Sequence, residues 1–382
     1  MKRFSTLLIA VWLCQSIFAQ VKVVPAESSG NTPGVFYALP QTVFKIDVTV
    51  EHTRTIPGPF SDYAEKYLGI TDAPRLSNDE YNILDLQVES FTRPDPDQIY
   101  FVQYGERSNK DERSLSLKLS QAGILVGADK ANVEGTAKAI ELAQVSDKPF
   151  FDKPFSKITN DNLYEKIDTV VRRITIDTLT IEKNFYRSTW QQKTSEQKAR
   201  DAADFISRIK ENRFLLMSGY QEVNYGESIA YMDRELKKLY SEYLSLFIGI
   251  EKTMTYHYSF LFTPDAGQPG QSSPLFRFSE NRGLFSTAES IGENVFIRIT
   301  ASGIAEKIAD AATIKSNPNA ENNGYYYRIP EFADVEIEYE GRSIYKANMM
   351  INQLGAVSVT PFYNLEIEMH PGTGGIKSMQ IR

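Results

Sequence analysis

Residues 43–53 read VFKIDVTVEHT, and the alternation is strict. Phe44, Ile46, Val48 and Val50 fall on one side of an extended chain; Lys45, Asp47, Thr49 and Glu51 fall on the other. A period of two describes a strand with one buried face, whereas a helix would scatter these apolar residues around its axis. Related patterns occur in YNILDLQVESF (81–91), IYFVQY (99–104), SLSLKLS (114–120) and VVRRITIDTLTIEKNFY (170–186), separated by Pro, Asp and Asn turns. They return in TMTYHYSFLF (253–262), NVFIRITA (294–301), ADVEIEYEG (333–341), SIYKANMMINQLG (343–355), AVSVTP (356–361) and NLEIEMHP (364–371).

Two stretches break this pattern. TSEQKARDAADFISRIKENRFLLMSG (194–219) opens with Thr194 and Gln197 at capping-box spacing and carries Ala199, Ala202, Ile206 and Ile209 on one helical face. GESIAYMDRELKKLYSEYLSLFIG (226–249) repeats the logic with Ile229, Met232, Leu236, Leu239, Tyr243 and Phe247, and stops at Gly249. The spacing predicts an antiparallel helical hairpin whose apolar stripes bury against the neighbouring sheets. PFSDYAEKYLGI (59–70) adds a short helix that Gly69 ends. The expected fold is therefore α+β: two β-rich, sandwich-like modules, 35–190 and 251–382, flanking a helical hairpin at 191–250.

The first residues carry a different message. Lys2 and Arg3 precede an apolar run from Leu7 to Leu13, and Ala19 supplies a small residue at a cut site. These features describe a secretory signal peptide over 1–19, too short to span a bilayer. The only cysteine, Cys14, follows Trp12 and Leu13, an unsuitable approach for lipoprotein processing, and cleavage after Ala19 would discard it. Residues 20–34 form a polar lead expected to be poorly ordered. Without cysteine the rest of the chain has no disulfide, thiol nucleophile or thiolate metal site, so its core must hold it. The net charge is −7. No basic cluster offsets it, which excludes nucleic acid as a natural partner. The mature chain shows no transmembrane helix.

Several phrases together resemble a known group: GVFYALPQTVFKIDVTVE (34–51), YAEKYLGI (63–70), RPDPDQIYFV (93–102), YLSLFIG (243–249), YYYRIPEFADVEI (325–337) and LGAVSVTP (354–361). With the leader, they are similar to an uncharacterised family of secreted Bacteroidota envelope proteins classed as a domain of unknown function. The resemblance implies an envelope location and brings no activity, cofactor or catalytic residue. It also implies O-glycosylation at Asp-Thr followed by an apolar residue, which marks Thr169 (in Asp168-Thr169-Val170) and Thr178 (in Asp177-Thr178-Leu179).

Chemistry-bearing motifs are sparse. His52, His257 and His370 lie in separate segments without metal-ligand spacing. Ser207 and Lys210 make S-x-x-K, and Ser279-Glu280-Asn281 follows, but Ser207 lies mid-helix and HPGTGG (370–375) lacks the expected basic residue before its threonine, so an acyl-enzyme is disfavoured. Asp95 and Asp97 in RPDPDQ are spaced as in calcium loops, yet the loop's glycine and distal glutamate are missing, and a turn between strands is the simpler reading. No cofactor is indicated. The run Tyr325-Tyr326-Tyr327-Arg328 could line a core or present rings for sugar stacking or protein contact.

The features lean away from an enzyme. The leading expectation is a secreted or periplasmic binding or scaffolding component of an envelope or outer-membrane complex. Two alternatives stay open: a glycan or peptidoglycan hydrolase working through paired carboxylates, and a carbohydrate-binding protein using the aromatics at 325–328.

Overall fold

The alternation at 43–53 lies inside one long strand whose length and neighbours set the rest of the molecule. A computed structural model describes residues 22–30, 33–103, 117–128, 155, 158, 162–176, 179–218, 226, 228–267, 270–313, 324–361 and 365–381. The expected signal peptide at 1–19 lies outside them. The first half contains β1 (Lys22–Pro25), β2 (Gly34–Ile56), α1 (Ala64–Leu68), β3 (Asn78–Gln103), β4 (Leu117–Leu119), β5 (Leu125–Ala128), β6 (Leu163–Ile176) and β7 (Leu179–Gln192). Next come α2 (Ser195–Ser218), α3 (Ser228–Ile248), β8 (Ile250–Phe262), β9 (Ser272–Ser279), β10 (Gly283–Phe285) and β11 (Glu293–Ala301). The chain then forms α4 (Ile304–Thr313), β12 (Gly324–Tyr339), β13 (Arg342–Pro361), β14 (Leu365–Met369) and β15 (Ile376–Ile381). The fold is α+β, with antiparallel sheets and four helices among the described residues.

A four-stranded sheet, β1-β3-β2-β8, packs its apolar face onto a five-stranded sheet, β10-β9-β11-β12-β13. Phe44, Ile46, Val48 and Val50 of β2 meet Phe276, Val295, Ile297, Val335 and Ile337 in a common core. A smaller sheet, β15-β14-β5-β4, closes one end over Tyr37, Leu39, Tyr100 and Val102. The β-rich segments before and after the helices do not close into separate modules. β8 lies antiparallel along β2, from Phe44 opposite Phe262 to Ile56 opposite Ile250, and β14 pairs with β5. The apolar side chains of β8 explain the first pairing: Phe262, Phe260, Tyr258 and Tyr256 stand opposite Phe44, Ile46, Val48 and Val50, extending one face across both strands.

The polar lead is partly ordered. Lys22–Pro25 pairs with Tyr100–Gln103, and Val23 enters the smaller core, since burying one valine anchors an otherwise polar strand. The two central helices run antiparallel, as Phe205 against Tyr243 and Arg213 against Asp233 demonstrate. Thr194 and Gln197 cap α2 reciprocally, with N–H to side-chain distances of 2.8 and 3.2 Å. Their stripes do not bury against the sheets. Ala199, Ala202, Ala203 and Ile206 pack on Phe60, Ala64, Leu246 and Phe247, a third core shared with α1. Small residues allow this: a Cβ on Gly58 would lie 2.1 Å from the Leu246 carbonyl oxygen. Helix α4 carries no strong stop or start in the sequence pattern and was not anticipated by it.

Two prolines break register, and the breaks meet. Ala38 pairs with Ile99 but Pro40 with Pro94, so residues 95–98 bulge from β3. Ile329 pairs with Ala356 but Glu331 with Ile351, so residues 352–355 bulge from β13 opposite Pro330. Proline has no N–H to give the ladder, and a bulge is where a strand tolerates it. Gly355 permits the second bulge, as a Cβ there would lie 1.9 Å from the Ile329 carbonyl oxygen. The RPDPDQ stretch is thus a bulge inside one strand, not a turn between two. Between the bulges lies a buried polar junction. Arg328 donates to Asp95 at 2.9 Å and to the Pro40 carbonyl at 2.7 Å. Gln353 accepts from the Thr42 N–H at 2.9 Å and donates to the Thr42 and Pro264 carbonyls at 2.9 and 3.0 Å.

Glu331 is buried beside the start of α4 and accepts from the Ser302 hydroxyl and the N–H groups of Ile304, Ala305 and Phe332. Burial pushes its carboxyl pKa up, but these four donors outweigh burial and hold it below the ordinary value of 4.5. A depressed carboxylate contributes stability above its unfolded pKa, and that contribution is lost as pH falls through the folded one. Wild-type stability is therefore expected to drop on acidification below about pH 4.5, and Glu331→Gln to flatten that part of the curve. Urea midpoints measured across this range check it, and identical slopes would refute it.

Candidate functional site: an exposed β-ribbon

The aromatic run at 325–328 is placed inside the fold. Tyr325 is buried in the smaller core, Tyr326 stacks on Tyr100 with ring centroids 4.2 Å apart, and Tyr327 packs partly against the same cluster. The Tyr37 hydroxyl accepts from the Tyr326 N–H at 2.9 Å. Burial drives the Tyr100 hydroxyl up to about 12, with the neighbouring Tyr326 adding to the rise. Arg328 is equally buried, committed to Asp95 and Pro40. Neither Tyr325 nor Arg328 is presented to a ligand in this arrangement.

The remaining motifs are also occupied structurally. Asp95 accepts from the Asp97 N–H at 3.1 Å while holding Arg328. His52 is buried, lies 2.7 Å from Asp79 through Nε2, and stacks on Tyr81 at 4.0 Å. His257 faces outward, 3.2 Å from the Thr49 hydroxyl. Ser207 donates to the Ala203 carbonyl at 3.1 Å, and Lys210 lies over the Tyr240 ring. Among the described residues no three His, Cys, Asp or Glu side chains are grouped to hold a metal. One cleft, lined by Phe262, Pro264, Leu354 and Asp265, has a single carboxylate; another, lined by Phe60, Phe155, Ile158, Leu246 and Lys198, has none.

What stands apart is the ribbon β6–β7. It is a sheet of two strands only, paired from Leu163 opposite Gln192 to Ile176 opposite Leu179. No side chain is buried in 162–173 or 182–192. A two-stranded ribbon with no covering layer is marginally stable in water, so its exposed apolar groups call for an account. Paired residues share a face, which divides the ribbon in two. On one face Val170 and Phe185 lie opposite each other, and the cations of Arg172 and Lys183 hang over the Phe185 ring at 5.6 and 5.5 Å. Lys166, Asp168 and Arg187 share that face, making it basic and partly self-covered. The opposite face is open. It carries Trp190 beside Glu165, Ile167, Tyr186 beside Thr169, Val171, and the ion pair Arg173–Glu182. Tyr186 is 72 % exposed and Trp190 68 %, values foreign to rings that fill a core. Thr169 is exposed on this face, whereas Thr178 lies outside the described residues.

The alternation in VVRRITIDTLTIEKNFY (170–186) marks most of these strands but not their role. The available signal was that neither face of LYEKIDTVVRRITI is free of charge, so neither could be buried in a dry core. Among the described residues no helix is long and apolar enough to cross a membrane. Neither the curated proteins nor the solved structures contain a match to the chain. The family model described as Domain of unknown function (DUF4831) matches residues 33–376, which takes in both packed sheets apart from β1, the helices and the ribbon, and the chain belongs to that family.

Proposed function

We propose that the protein is a non-enzymatic binding or scaffolding component of a cell envelope, exported through residues 1–19, and that the β6–β7 ribbon is its contact arm. The observation that carries this reading is the open face with Trp190, Tyr186, Ile167 and Val171 held away from every core. Rigid aromatic side chains on a paired backbone lose little conformational entropy on contact, and Trp and Tyr dominate interface energetics. The commitment of the buried Asp95 and Glu331 to internal hydrogen bonds supports the non-enzymatic side of the reading.

Cross-linking of cell envelopes, followed by recovery of the protein and mass spectrometry, tests it. A stoichiometric membrane complex is expected with the wild type and lost with Tyr186→Ala/Trp190→Ala, whose melting temperature should stay within about 2 °C of wild type because these surface rings add little to stability. The same spectra should begin at Gln20. A complex that survives the double substitution, or a protein recovered alone, would overturn the reading.

A further inference from the structure

The open face of the arm is self-complementary. Along β6 it presents Glu165, Ile167, Thr169, Val171 and Arg173, and along β7 Tyr186 lies opposite Thr169. Along β6 acid stands at one end and base at the other, the base shared with Glu182 of β7, with aliphatic residues placed evenly about the centre. Such a series matches itself when reversed. We infer that a second copy of this chain covers this face, related by a two-fold axis through the level of Thr169 and Tyr186, with the two arms stacked tip to base. This rests on the ribbon being an interface, as proposed above.

The register follows from the rotation. Glu165 faces the second copy's Arg173, Ile167 faces its Val171, and Tyr186 meets Tyr186 at the axis. Each contact away from the axis occurs twice, the mark of an isologous interface. By the same rotation Trp190, beside Glu165, faces the second copy's Glu182, with the guanidinium of Arg173 that Glu182 holds at its side, within reach of the indole. The alternative stacking, base on base, would lay Ile167 on Ser188 and Val171 on Asn184, apolar on polar. Charge also selects the face. Lys166, Arg172, Lys183 and Arg187 lie on the other side with Asp168, so stacking the open faces leaves these cations in water.

Strands of 14 residues at about 3.3 Å each, two strands wide, give about 450 Å² per copy, or roughly 900 Å² in total. That is below the range of stable interfaces and marks the contact as a weak one, to be sought at high protein concentration.

The chain's single cysteine makes the test direct. In a Cys14→Ser background, Thr169→Cys should be joined across the axis by a short bis-maleimide, and Val170→Cys, on the opposite face, should not. By sedimentation, Arg173→Glu should weaken the dimer about tenfold, because two like-charge contacts replace two attractive ones. The double substitution Glu165→Arg/Arg173→Glu should restore it to within about threefold. A monomer at about 100 μM, equal cross-linking at 169 and 170, or no rescue by the charge swap would overturn the inference. So would a glycan mass on Thr169 in protein taken from envelopes, since it would fill the axis. If those results came with a membrane complex still dependent on Tyr186 and Trp190, the arm would serve another protein and only the second copy would be excluded. Loss of both dependences would remove the arm's role altogether.

Discussion

Asp95→Ala is expected to destabilise the protein by about 3–5 kcal/mol, the usual consequence of removing one partner from a buried ion pair. Asp95 and Arg328 are each about 4 % exposed and 2.9 Å apart. Without the carboxylate, the guanidinium is left with the Pro40 carbonyl as its acceptor, in a site too enclosed for bulk water. Arg328→Ala should behave similarly by stranding Asp95. The pair itself is another matter. Replacing both by apolar residues of similar size, Asp95→Leu/Arg328→Met, should recover much of the loss, since desolvation offsets most of a buried pair's attraction. Thermal melts of the two single variants and the double variant check this, with single-variant shifts on the order of 10 °C. Additive losses in the double variant would mean that the junction depends on hydrogen-bond geometry rather than charge balance.

Gln353→Leu should cost about 2–4 kcal/mol for a different reason. β8 ends its pairing with β2 at Phe44, and two residues earlier the Thr42 backbone has lost that neighbour. The Gln353 side-chain amide takes the neighbour's place, accepting from the Thr42 N–H and donating to its carbonyl as a peptide would. It also holds Pro264, where the chain leaves β8. Leucine fills the space but strands three backbone groups. The specific readout is hydrogen exchange at the Thr42 amide, whose protection should fall at least tenfold in the variant while Val48 stays protected. Unchanged protection at Thr42 would show that another acceptor reaches it.

The sequence exposed its strands because most of them are half-buried, and a half-buried strand writes its environment in alternate residues. Phe44 to Val50 and Met254 to Phe262 were legible in that way, as were the reciprocal cap at Thr194 and Gln197 and the glycine stops at Gly69 and Gly249. Partnership was less legible. Nothing local in β8 says that it lies beside β2 rather than β9; only matching apolar faces do. The bulges were visible as prolines, but their meeting point, with Gln353 serving as a surrogate peptide, depends on two segments over 300 residues apart. The Tyr325–Arg328 run stayed open between core and contact surface for a related reason. Aromatic and cationic residues have the same letters whether they face a ligand or a buried carboxylate, and Asp95 supplies the answer from a distant strand. The arm was recognised as strand and overlooked as surface, because isolation is a property of what fails to pack beside it.

The pairing of β2 with β8 and of β5 with β14 has a consequence in time. The first spans about 200 residues of chain and the second about 240. Contacts so far apart are won only after a large loss of loop entropy, and such topologies fold slowly. As the chain emerges from the N-terminus, β2 and β3 can meet early, but the sheet's edge stays open until β8 arrives. The end sheet stays open until β14 arrives. The two sheets therefore have no early resting place: they keep open strand edges until β8 has joined β2 and β14 has joined β5.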